Sequence, residues 1–385
     1  MNPAVKLKSL LEWLTSQLPS MLQALKTFVC TESPSTEKAA ADACACAIAR
    51  EWRKRPVRVE LFNRQHRGAH LRISCASTEG KPRGQLLVLG HYDTVYARGT
   101  LAKMPFRAAA GRVYGPGVFD MKAGIVQALF ALDAIQRSSA APAKKIVFLW
   151  TSDEEIGSQS SRKLIESEAG KSDAVFVLEP SLGLTGLLKT ARKGVGEAEI
   201  IVHGRASHAG LAPEKGVNAI HELALQIARV KEWNDPARGV SVNAGLIEGG
   251  TRPNVIPDHA RAIFDLRALR SNDMQKVEKR LRGLRPILPG ARLEVCGGFN
   301  RPPLERKWSA ELFQRASSLA KQMDFAIGEG TAGGGSDGNL TAALGVPTLD
   351  GLGAVGDGAH SHGEYIVARA MPQRAALLAA LLLHS

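Results

Sequence analysis

The sequence predicts an α/β fold, a layered α/β/α domain interrupted by a smaller α+β unit. Three observations carry this. Short apolar runs at 70–75, 85–90, 145–151 and 174–179 alternate with helical segments such as 122–137 and 158–168, as expected where helices cover both faces of a sheet. From about 190 to 301 the texture changes to a compact β-α-β-β-α pattern. At 385 residues the chain also exceeds the size at which one core keeps growing, so two domains are the natural division.

In chain order, residues 5–29 and 37–54 have helical periodicity, and Ser35 or Thr36 is suited to cap the second helix before Glu37. The four apolar runs with their intervening helices follow. The middle unit has strand-like 197–203, a helical 216–233, strand-like 240–247 and 259–267, and a helical 271–283. After Pro302 and Pro303 the chain returns to helix at 308–323, a glycine-rich loop at 333–338, a short strand at 346–349 and a final helix at 371–384. The larger domain is therefore discontinuous, 1–190 and 302–385, with 191–301 inserted into it.

Composition narrows the function classes. Hydrophobic residues at 44% and charged residues at 23% are ordinary for a globular protein and argue against a disordered or fibrous chain. A net charge of +13 favours anionic partners, yet aromatics make up only 5% and the basic residues are scattered, which argues against a nucleic-acid surface. Five cysteines without a CxxC pair suggest neither a disulfide framework nor a cysteine metal site. The N-terminal stretch lacks a signal-peptide apolar core, and the apolar run at 375–383 is too short to span a bilayer. A cytoplasmic protein without membrane attachment is expected.

Chemistry-bearing residues stand at the ends of the apolar runs. The run 86–90 stops at His91-Tyr92-Asp93, a strand delivering ligand-type side chains, and sheets of this kind gather ligands at the carboxyl ends of their strands. Asp120 follows the turn Gly115-Pro-Gly and opens a helical run, where a helix N-terminus favours its ionised form. The strand 145–151 runs into Asp153-Glu154-Glu155. Adjacent carboxylates repel, and a metal relieves that repulsion while one acid binds it and its neighbour handles a proton. Glu179 ends the run 174–178, and His360-Ser-His362 follows a glycine-rich loop, either histidine being a ligand on chemistry alone.

With these motifs in this order the chain resembles, over nearly its whole length, the zinc-dependent aminoacylase/carboxypeptidase metallopeptidases, a family that includes acetylornithine deacetylase, succinyl-diaminopimelate desuccinylase and the glutamate carboxypeptidases. The resemblance rests on His91-Tyr-Asp93-Thr-Val, Gly-Val-Phe-Asp120-Met-Lys, Asp153-Glu154-Glu155-Ile-Gly-Ser, Glu179 and His360-Ser. It implies a dizinc catalytic domain with an inserted lid or dimerisation domain. One zinc is then held by His91 and Glu179, the other by Glu155 and His360, with Asp120 and a water or hydroxide bridging both. Asp93 orients His91, and Glu154 is the general base. A cis peptide bond after Asp120 is implied as well.

The middle unit adds Gly204-Arg-Ala-Ser-His208-Ala-Gly210, similar to the family's loop whose histidine stabilises the oxyanion, often in the partner subunit's site. Gly249-Gly-Thr-Arg-Pro-Asn254-Val-Ile-Pro resembles its substrate loop, and Arg267 suits a bidentate grip on a carboxylate. The stretch Tyr96 to Phe106 most resembles the folate-hydrolysing glutamate carboxypeptidases, whereas Met121 stands where a second acid commonly follows the bridging aspartate. The expected enzyme is thus a homodimeric zinc metallocarboxypeptidase or amidohydrolase that releases a C-terminal amino acid, glutamate foremost, from a peptide or N-acyl conjugate. Alternatives are an acetylornithine deacetylase or desuccinylase type of enzyme, a non-catalytic metal- or peptide-binding relative, and a nucleic-acid-binding protein.

Overall fold

The computed structural model describes residues 7–75, 84–138 and 142–385, which form two compact units. The first comprises the chain through Thr190 with Arg306–Ala332 and Ser336–Ser385. The second is Ala191–Glu305 with Gly333–Gly335. It thus runs past the proline pair at 302–303, because Arg192 and Leu304 form an antiparallel bridge through both their amides (2.9 and 3.1 Å) and Arg192 also donates to the carbonyls of Gly334 and Gly335.

The first unit is built on a six-stranded sheet in the order Val57–Phe62, His70–Cys75, Lys145–Thr151, Gln85–His91, Ala174–Val177 and Thr348–Leu349. The last four strands are parallel, and their register sets His91 beside Thr151 and Leu89 beside Val177. Their carboxyl ends therefore open on one edge of the sheet, the position where α/β sheets hold ligands. Alternation along Gln85–His91 sends Leu86 and Val88 into one core with Ile125, Leu129 and Leu378, and Leu87 and Leu89 into another with Ile165 and Leu340. Helices therefore cover both faces, so the unit has three layers. In the larger core Trp52, Phe148 and Trp150 are fully buried, with ring centroids 4.7–5.9 Å apart. Such aromatic pairs each add about 0.5–1.5 kcal/mol beyond their buried area.

A four-stranded antiparallel sheet of Gly356–Asp357, Tyr365–Val367, Arg112–Tyr114 and Arg107–Ala109 also belongs to this unit. No periodicity announces it, since its strands are two or three residues long. It nonetheless places two ligand-bearing turns side by side: its first two strands enclose the hairpin at 358–364, and Arg112–Tyr114 leads directly into the turn before Asp120.

The helical stretch expected at 5–29 is two helices, Leu7–Ser16 and Leu18–Val29, divided where Pro19 occupies the first turn of the second; residues 5 and 6 lie outside the described range. The final helix, Met371–His384, is buried on nearly every side, which accounts for its continuous apolar sequence. No helix among the described residues is long and apolar enough to cross a membrane.

The inserted unit is a four-stranded antiparallel sheet in the order Ser241–Gly249, His259–Ala268, Gly194–His203, Arg292–Arg301. Helices Ala219–Lys231 and Ser271–Arg282 supply Leu223, Val277 and Leu281 to a core with Ile200, Val202 and Phe264. The strand Arg292–Arg301 completes a β-α-β-β-α-β pattern. Sequence reading passes over it because Gly297 and Gly298 interrupt its alternation.

Candidate metal centre

Four ligand-type side chains converge at the open edge of the parallel strands, and a fifth arrives from the hairpin. His91 closes the strand Gln85–His91 and is buried; its Nε2 lies 3.2 Å from Asp120 Oδ1 and 3.4 Å from Glu179 Oε1. His360 Nε2 lies 3.5 Å from Asp120 Oδ2 and 3.1 Å from Glu155 Oε2. The two oxygens of Asp120 thus face different histidines, and the five side chains form two groups sharing that carboxylate: His91, Asp120 and Glu179, then Asp120, Glu155 and His360. His360 has left-handed backbone (φ 61°), uncommon outside glycine. His362 two residues on is exposed and belongs to neither group.

Local sequence explains how Asp120 reaches its place. Gly117 adopts φ 70°, and a Cβ there would stand 2.5 Å from Thr94 Cγ2, so only glycine serves. The helix proper begins at Ala123, leaving Asp120 free of any capping duty, and the Asp120–Met121 bond is cis. Met121 is fully buried, and its sulfur accepts the His91 backbone N–H at 3.3 Å. A thioether here packs against the sheet end where an acid would need its own counter-charge.

Asp93 holds the arrangement from behind. Fully buried, it lies 3.4 Å from His91 Nδ1 through Oδ1, accepts the Ser35 hydroxyl at 2.7 Å, and receives the backbone N–H groups of Glu154 and Glu155 at 3.3 Å each. The backbone carbonyl of Asp93 lies closer still to His91 Nδ1, at 3.1 Å, so main chain and carboxylate of one residue together hold the ring of His91 while the carboxylate also holds the turn that carries the two acids. Ser35 is consequently not a helix cap; the N-cap position falls to Glu37, without a side-chain bond. Glu154 is buried in the short turn Glu154–Ile156 beside Glu155.

The electrostatics describe a cation site. Burial opposes a charge on His91, but Asp120, Asp93 and Glu179 outweigh it and hold its pKa well above the ordinary histidine value. Asp120 and Glu155 raise His360 to about 10. Burial works against the Asp120 carboxylate, yet His360 and His91 keep its pKa below the usual range, while burial pushes Glu155 up. Glu155 Oε1 is buried without a hydrogen-bond partner among the described residues, a costly state for a carboxylate oxygen unless a cation meets it. Two imidazoles with three carboxylates form a donor set suited to a pair of borderline divalent metals.

Sequence reading missed one residue here. Glu364, fully buried, accepts from Gly117, Phe119 and Asp120 backbone N–H groups and from the Tyr96 hydroxyl, and burial lifts its carboxyl to about 6. Nothing in its local pattern says which distant amides it satisfies.

In the inserted unit, Ser207–His208 pairs with Val255–Ile256 and the Ala209 amide donates to the Asn254 carbonyl at 3.0 Å, so His208 and Asn254 occupy adjoining turns. His208 Nδ1 accepts from the Gly210 and Leu211 amides, both at 3.1 Å, which assigns the ring proton to Nε2. Arg267 is brought to neither turn; from the strand His259–Ala268 it grips Asp265 with two parallel bonds of 2.8 Å.

The chain has counterparts among known proteins. The model of the peptidase family M20/M25/M40 matches residues 87–384. The chain is 34% identical to carboxypeptidase G2 of Pseudomonas sp. (strain RS-16) over 79% of its length and 75% of that protein's. It is 30% identical to succinyl-diaminopimelate desuccinylase of Stenotrophomonas maltophilia (strain R551-3), over 77% and 84% respectively. The crystal structure of aminopeptidase PepT from Bacillus cereus superposes with a TM-score of 0.77, covering 96% of this chain and 98% of that one at 21% identity, a likeness of fold. With the family model matched over residues 87–384 and a relative 34% identical over 79% of its length, the chain belongs to peptidase family M20/M25/M40, and it is a metallohydrolase.

Proposed function

We propose that the protein is a dizinc exopeptidase or amidohydrolase that releases a C-terminal glutamate from a peptide or N-acyl conjugate. The observation that carries the two-metal part is Asp120 turning one oxygen to His91 and the other to His360. In this reading His91, Glu179 and Asp120 hold one zinc, and Asp120, Glu155 and His360 the other. When bound, the pair supplies Lewis acidity toward the scissile carbonyl and acidifies an attacking water.

The protein's own residues supply the rest. Glu154 withdraws the water's proton and returns it to the departing nitrogen. Asp93 keeps the His91 ring and the Glu154–Glu155 turn in register. His208, protonated at Nε2, is in the tautomer that donates to a developing oxyanion. Arg267, with Asn254 as a further substrate contact, exchanges Asp265 for a substrate carboxylate, for which its planar fork is matched. The proposal includes a homodimer, with the inserted unit as lid and dimerisation domain. It also places the protein in the cytoplasm, where five free cysteines stay reduced.

Glutamate is supported by the Tyr96–Phe106 stretch, and release of a C-terminal residue by the identity with carboxypeptidase G2. The 30% identity with a desuccinylase supports a second reading, an N-acyl amino acid deacylase. Assay of the zinc-loaded protein against acyl-glutamates, other acyl amino acids, and acetylated or succinylated diamino acids separates them. Preferential release of glutamate is expected; turnover without that preference removes the glutamate assignment, and selective cleavage of the succinylated or acetylated amine installs the alternative.

A further inference from the structure

Glu364 lies four residues beyond His360, in the hairpin between Gly356–Asp357 and Tyr365–Val367, and its side chain is fully buried. Its Oε1 accepts the backbone N–H groups of Phe119 (2.7 Å) and Asp120 (3.0 Å). Its Oε2 accepts that of Gly117 (2.9 Å) and the hydroxyl of Tyr96 (2.7 Å), and the same hydroxyl lies 2.9 Å from the Ser361 carbonyl oxygen. Four donors thus meet one carboxylate. Three come from the turn that presents Asp120, including the amide of Asp120 itself, while the carboxylate belongs to the hairpin that presents His360.

The other ligands are anchored differently. His91 ends a central strand, while Glu155 and Glu179 follow the ends of its two neighbours, so the sheet fixes them. Asp120 and His360 hang on turns, and the small antiparallel sheet ties those turns together only at their bases. The bonds to Glu364 join them nearer their tips. Charge-assisted bonds of this length are about twice as strong as neutral ones, and three backbone donors leave the Asp120 main chain little room to shift.

We propose that Glu364 is a positioning residue that locks the Asp120 turn to the His360 hairpin and thereby sets the distance between the two metal positions, an inference that rests on the two-metal reading above. It touches neither metal nor substrate and acts through the two ligands that it holds. In Glu364→Gln an amide nitrogen replaces one acceptor and confronts backbone N–H groups, while shape is kept. The position built on His360 and Glu155 is the one affected, because the other has two sheet-anchored ligands.

The test titrates the chelator-stripped full chain with Zn²⁺ by calorimetry and with Co²⁺ by visible absorption. The unsubstituted protein takes up two ions per chain. Glu364→Gln binds the first normally and the second about 10–100-fold more weakly, the scale on which partners of metal ligands act, with an altered Co²⁺ spectrum at the second equivalent. If Glu364→Gln loses thermal stability but binds both ions with unchanged affinity and spectrum, the residue is merely structural and the proposal is overturned. Tyr96→Phe removes one donor of four and leaves the carboxylate intact, so it serves if Glu364→Gln does not fold: a smaller weakening of the same ion supports the proposal, and none overturns it. An unsubstituted chain that binds fewer than two ions overturns the two-metal reading itself, a result distinct from every outcome of the variants.

Discussion

Replacing Ser35 by alanine tests whether the support behind His91 governs metal binding. The Ser35 hydroxyl donates to Asp93 at 2.7 Å, the shortest bond that carboxylate accepts; the amides of Glu154 and Glu155 stand at 3.3 Å each. Both side chains are buried, so no water replaces the lost donor readily. A hydrogen bond to a charged group contributes about 1.5–3 kcal/mol, so urea denaturation of the metal-free protein is expected to show a loss of about 2 kcal/mol. Part of that slack passes to His91, whose Nδ1 rests on Asp93. Since partners of metal ligands act on affinity by about 10–100-fold and Ser35 stands one bond further out, zinc affinity should fall about tenfold. Thr36→Ala is the control. Thr36 is exposed, and the sequence offers it equally as a helix cap, but its loss should lie within about 0.5 kcal/mol and leave zinc affinity unchanged. Equal effects at the two positions, or none at Ser35, would refute the argument.

Glu154→Gln should lower turnover by about 10²–10⁴-fold, the range of a lost general base, with metal content by elemental analysis unchanged; near-normal turnover assigns the proton to another group. Asp273 gives a pH test away from the metals. In the first turn of Ser271–Arg282 it accepts from Arg238 Nη2 at 2.7 Å and Nε at 3.1 Å, and Arg238 holds its carboxyl below the ordinary aspartate value. A depressed carboxyl stabilises the fold above its unfolded pKa and loses that contribution as pH falls through the folded value. Asp273→Asn should therefore melt lower than the unsubstituted protein at pH 5–8, and the gap should close as pH falls below about 4. A gap unchanged across that range contradicts the assignment.

Much of the candidate metal centre is legible because most of its side chains carry a local sign. His91, the 153–155 acids and Glu179 each end an apolar run, and a strand's carboxyl end has a known place in a parallel sheet. Asp120 is marked by glycines on a turn. His360 and His362 follow the same glycine-rich loop and no local sign separates them; the family resemblance alone favours His360, which the fold sets beside Asp120 and Glu155. Ser35 reads as a cap and Glu364 carries no assigned role until the fold shows what each faces. Both act over long sequence separations, 58 residues from Ser35 to Asp93 and 247 from Glu364 to Gly117, which no local periodicity encodes. Arg267 shows the converse: its residue type suggests a free carboxylate grip, and the fold reveals Asp265 in place two residues away.

The Arg192–Leu304 bridge makes the insertion detachable. Two residues paired across antiparallel strands lie only about 4.5–5.5 Å apart, so the chain leaves for more than a hundred residues and returns almost to the point of departure. A few linking residues would span that gap. Every member of the two metal-ligand groups lies outside the inserted stretch. The unit holding the two metal-ligand groups and the unit bearing His208 and Arg267 are in this sense separate modules: replacing the insertion is expected to leave the metal-binding framework as it was.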